Sequence, residues 1–98
     1  MADYPKPRHI TRDELLVEAE TLINGDRAET YGSAAENFAR VAALWTVVLG
    51  TPVTATQVGL CLLELKVARA ITAPNHRDSY VDAAGYIALT GEIALNED

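Results

Sequence analysis

Six side chains in the second half of the chain have types and spacings suited to phosphate or metal chemistry: Glu64, Lys66, Arg69, Asp78, Asp82 and Tyr86. The first three interrupt an otherwise apolar run over residues 58–73. Residues four apart share one side of a helix, so Asp78, Asp82 and Tyr86 lie on the face that continues as Leu89 and Ile93, which read as core. Burying a carboxylate is costly unless it is paired, hydrogen-bonded or bound to a cation. The partner of these acids, Arg69 or a ligand, therefore decides between a plain helical bundle and a functional site.

Asp78 and Asp82, one turn apart, could hold Mg2+ through carboxylate oxygens, with Glu64 as a third oxygen ligand and water and a substrate phosphate completing the shell. Lys66 and Arg69, three apart and on one side, would hold phosphate oxygens, Arg69 in bidentate fashion. Tyr86 could stack on a base or hydrogen-bond a phosphate; the competing reading is a core tyrosine with its hydroxyl at the rim. A second cluster joins Arg27, Tyr31 and Gly32 to Asn37. There Arg27 could reach a phosphate, and Gly32 suits a turn with unusual backbone angles. Against all of this stands an ion-pair network that only fixes helix register, with Arg69 level with Asp82.

The elements that must position these groups are helical. Pro5 and Pro7 make residues 1–10 an extended arm, followed by one domain over 11–98. Thr11 and Glu14 have capping-box spacing and open a first helix with the stripe Leu15, Ala19, Leu22 and Ile23, which Gly25 ends. A second helix runs from about residue 33 to 49, burying Phe38, Val41, Ala42, Trp45, Val48 and Leu49. Thr54 and Gln57 form another capping box and start a third helix, about 54–73, apolar nearly all round and expected at the centre of the bundle. Pro74, Asn75 and His76 turn it into a fourth, about 78–95, so the last two helices form an antiparallel hairpin. The expected fold is all-α, a four-helix bundle-like single domain.

Bulk properties narrow the function. A net charge of −6 argues against a general nucleic-acid surface, which favours basic patches, while leaving room for a local basic pocket. No apolar stretch approaches the roughly 18 residues of a membrane span, and the first ten residues lack a signal-peptide core, so a cytoplasmic location is expected. Cys61, the only cysteine, reads as a buried and inert thiol. It makes no zinc site with His9 and His76. A chain of 98 residues carries only a small core, and homo-oligomerisation is the expected supplement.

The pattern Arg27-x3-Tyr31-Gly32-x4-Asn37, Leu44-Trp45, Leu65-Lys66-x2-Arg69, Asp78-x3-Asp82-x2-Gly85-Tyr86 resembles a family of small bacteriophage proteins with no settled activity. More distantly, the chain is similar to the all-α nucleoside triphosphate pyrophosphatases, the MazG-like enzymes. That resemblance implies a helical oligomer in a host cytoplasm. There, acidic motifs hold Mg2+ and a nucleotide is cleaved between its α- and β-phosphates, with Asp78 and Asp82 as the second motif and Glu64 as part of the first. The superfamily usually spaces its acids three apart; here the later pair is four apart and the earlier helix offers Glu64 alone. A nucleotide-sequestering or regulatory protein without hydrolysis fits these residues as well, and a structural or partner-binding bundle is the third alternative.

Overall fold

The computed structural model describes residues 9–25 and 33–97. Among them are four α-helices and no strand: α1 (Arg12–Ile23), α2 (Ala34–Leu49), α3 (Ala55–Thr72) and α4 (Arg77–Leu95). The all-α reading holds, and the helix ends fall within about two residues of their sequence signals. Each of the first three helices starts on a hydroxyl that accepts an orphan backbone N–H. Thr11 Oγ1 accepts from Glu14 at 3.2 Å, Ser33 Oγ from Glu36 at 3.1 Å, and Thr54 Oγ1 from Gln57 at 3.1 Å. The Gln57 side chain reaches back to the Thr54 N–H at 2.9 Å, completing the capping box. Gly50, at φ 71°, ends α2 in the left-handed conformation that glycine adopts without penalty.

The frame is the α3–α4 hairpin, closed by a short turn in which the His76 N–H donates to the Ala73 carbonyl at 3.1 Å. The two helices run very close. A Cβ on Gly59 would lie 2.9 Å from Thr90 Cβ, so only glycine fits there. Thr90 is itself buried and turns its hydroxyl back onto the Tyr86 carbonyl at 2.6 Å. α1 packs on α4, where Ile23 Cγ2 would stand 3.0 Å from a Cβ on Gly85. Gly85 thus serves the close approach of α1 to α4. α2 packs chiefly on α3, and its orientation is fixed by Thr46. That hydroxyl donates to the Ala42 carbonyl at 2.8 Å and accepts the Val53 N–H at 2.9 Å.

The largest buried cluster is Phe38, Ala42, Val58 and Ile93, with Trp45, Leu62, Tyr86 and Leu89 packed around it. Trp45, Leu89 and Ile93 therefore pack as their spacing predicts. Three expectations do not hold. α3 is not enclosed by other helices: Leu60, Leu65, Val67 and Ile71 are exposed, because α1 and α2 cover only part of the hairpin. Val48 and Leu49 are exposed rather than core, since α2 ends past the edge of α3's apolar contact. Cys61 is exposed rather than buried, on the uncovered side of α3.

The close crossing carries a test. Gly59→Ala is expected to lower stability by about 1–3 kcal/mol through overpacking against Thr90. Part of that loss should return in Gly59→Ala/Thr90→Ala, which removes the Thr90 hydroxyl and methyl but keeps its Cβ, and more in Gly59→Ala/Thr90→Gly if the helix tolerates it, read by chemical denaturation. The Ser79 hydroxyl is buried with no hydrogen-bond partner among the described residues. An unsatisfied buried hydroxyl costs about 1–3 kcal/mol, so Ser79→Ala should raise the melting temperature rather than lower it.

Candidate functional site at the turn end of the hairpin

The hairpin brings one basic side chain of α3 against one acidic side chain of α4. Lys66 Nζ lies 2.8 Å from Asp82 Oδ2. The lysine side chain is 15% exposed and the aspartate 34%, so the pair is half-sheltered beneath the protein surface. The same register seats Gly59 against Thr90, and it shifts the expected pairing by one turn: Lys66, not Arg69, is level with Asp82. The helix ends account for this: Asp82 lies about as far into α4 from Arg77 as Lys66 lies back from the end of α3 at Thr72, whereas Arg69 is closer to the turn.

The other predicted groups divide. Arg69, one turn beyond Lys66, is exposed and has no ion-pair partner among the described residues. Asp78, one turn before Asp82, is exposed, so the inward-pointing acid pair is reduced to Asp82. The cause is position: Asp78 is in the first turn of α4, where carboxylates favour the helix dipole and face water. Tyr86 is half-buried against the Phe38–Ile93 cluster, one turn beyond Asp82, so its ring is part of the core packing. Glu64 is exposed and, two residues from Lys66, lies on a different side of α3. No group of three or more histidine, cysteine, aspartate or glutamate side chains converges among the described residues, so Glu64, Asp78 and Asp82 are not one donor set. Arg27 and Tyr31 lie outside the described residues.

A second charged contact was not legible in the sequence. Arg77 donates through Nε to Glu18 Oε2 at 2.8 Å, and its Nη2 lies 2.6 Å from the same oxygen. This joins α1 to the start of α4 across 59 residues, a separation at which helical spacing carries no signal. Asp13, Glu14 and Val17 line a shallow open depression beside it. The surroundings are acidic, so this contact reads as a clamp between helices rather than as an anion site.

Lys66→Met and Asp82→Asn should each destabilise the fold, and the double variant should lose less than the sum. The expected coupling is about 1 kcal/mol, above that of an exposed pair and below that of a fully buried one. A double-mutant cycle in urea measures it; zero coupling would mean the contact has no energetic role.

Residues 14–94 match the family described as a domain of unknown function, DUF6378. The gene 55 protein of Mycobacterium phage L5 is 40% identical over 85 residues, covering 86% of this chain and 54% of that protein. The gene 55 protein of Mycobacterium phage D29 is 36% identical over 81 residues, covering 83% of this chain and 54% of that protein. The chain thus spans about half the length of these relatives. No solved structure matches. Among the described residues, no helix is long and apolar enough to cross a membrane. With most of its length matched by the family and by phage proteins at this identity, the chain belongs to the DUF6378 family.

Proposed function

We propose that this phage-family protein binds a nucleotide or another phosphate-containing small molecule at the turn end of the α3–α4 hairpin. The observation that carries the reading is the basic pair in two states. Lys66 is sheltered and held by Asp82, while Arg69, one turn away, stays exposed and unpaired among the described residues. An exposed guanidinium can take a phosphate in bidentate fashion, and Lys66 supplies a second charge when it exchanges Asp82 for the phosphate. Tyr86, one turn beyond Asp82 and half-buried against the Phe38–Ile93 cluster, can offer the rim of its ring to the rest of the ligand.

Binding without hydrolysis is better supported than a MazG-like pyrophosphohydrolase. Mg2+ catalysis needs several oxygen donors converging on the ion. Here Asp82 is occupied by an ammonium, Asp78 faces solvent, and Glu64 is on another side of α3. The alternative that the charged pairs only set helix register is favoured by the short Lys66–Asp82 contact, but it assigns no role to Arg69.

A thermal-shift panel of nucleoside mono-, di- and triphosphates and inorganic pyrophosphate, with and without Mg2+, tests the proposal. A ligand at about 100 times its Kd adds about 2.7 kcal/mol, which for so small a domain means a rise of roughly 10–20 °C. Arg69→Ala should abolish the rise without altering the unliganded melting temperature, and the ligand should be recovered intact. A panel without any shift overturns the proposal, and turnover in the presence of Mg2+ would restore the enzymatic reading.

A further inference from the structure

The hairpin has two broad faces, and among the described residues only one is covered. On the covered face, α1 approaches α4 at Gly85, and α2 closes over Val58 and Ile93. On the opposite face, Leu60, Val67 and Ile71 follow one another along α3 at spacings of seven and four, while Tyr80, Ile87 and Ala94 follow along α4 at spacings of seven. All six are exposed, Ile71 to 79%. The α4 line carries no charge, because Asp82 and Glu92 fall on the other side of that helix. Its one large polar group is also satisfied: the Tyr80 hydroxyl donates to the Pro74 carbonyl at 2.7 Å, leaving the ring to present an apolar surface. Glu64, four residues after Leu60 and three before Val67, is the one charge within the α3 line.

We infer that this face is covered by the same face of a second copy of the chain, related by a two-fold axis, so that two hairpins form a four-helix core. Three observations select this occupant. First, each copy carries a charge of −6, and an isologous contact sets one patch against itself, residue i meeting j and j meeting i; this face can meet itself because its α4 line is uncharged. Second, its large side chains expose on the order of 500 Å² per copy, so a pair buries on the order of 1,000 Å² before the small residues are counted, close to the range of stable interfaces. Third, the fully buried apolar set within one chain is small among the described residues: Ala19, Phe38, Ala42, Val58, Val81 and Ile93. Pairing adds the core that a single copy lacks. The ligand-binding groups Lys66 and Arg69 fall outside the paired face, so the pairing stands whether or not a phosphate binds.

Sedimentation equilibrium of the 98-residue chain should give a dimer at micromolar concentration. Ile71→Glu and Ile87→Glu should each halve the mass while circular dichroism stays helical. Val47→Glu, on the exposed stripe of α2, should leave the dimer intact. A monomeric wild type overturns the inference, whether the face stays bare or awaits a different protein segment. A dimer indifferent to both Ile71→Glu and Ile87→Glu, or one lost only in Val47→Glu, overturns it too. Should either acidic variant lose helicity, hydrogen exchange of the wild type replaces it. Slower exchange at higher concentration over 60–71 and 80–94 supports the pairing, and slowing confined to 44–49 refutes it.

Discussion

The structure depends on how closely α3 and α4 can approach. Gly59 removes the side chain that would hold them apart, and Thr90 fills the space with its hydroxyl turned back onto its own helix. That contact fixes both the separation and the register of the hairpin. Register then decides which charges meet: it delivers Asp82 to Lys66 and leaves Arg69 and Asp78 in water. A different small residue pair, one turn along, would have produced different chemistry from the same charged residues. Packing at one end of the hairpin thus sets the electrostatics at the other.

Much of the fold could be read from the sequence because its signals are local. Hydroxyls before apolar runs, Gly50 after one, and Pro74 between two mark helix ends through contacts spanning only a few residues. The helix count, the hairpin, and the roles of Trp45, Leu89 and Ile93 all follow from such signals or from helical spacing. What escaped was non-local. Spacing shows that α3 is apolar all round, but not whether its neighbours come from the same chain. It shows that Lys66 and Arg69 share a side, but a shift of one turn across the hairpin decides which of them meets Asp82. The Glu18–Arg77 clamp depends on where α1 docks, which no pattern along either helix encodes.

The candidate site was legible in its residue types and less so in its geometry. Acidic and basic groups do converge, yet as one sheltered pair and two exposed neighbours rather than as an acidic cluster. A carboxylate in the first turn of a helix is drawn to water and to the unpaired N–H groups, so Asp78 cannot be judged by the apolar face it nominally continues. Asp82, one turn later, lacks that option and takes an ammonium instead. The difference between the two is a matter of depth along α4, which spacing alone does not weigh.

The attachment of α1 has a consequence for how the molecule comes apart. This helix fully buries only Ala19, and its described polar tie to α4 is the half-exposed contact of Glu18 with Arg77. With one small buried residue and a screened ion pair, α1 is expected to open at a lower free energy than the hairpin. It would lift away as a unit while the hairpin and α2 stay folded. Such a partly open species uncovers Val81 and Gly85, and its population rises with ionic strength. The first cooperative loss of structure in this protein therefore begins at its amino-terminal helix.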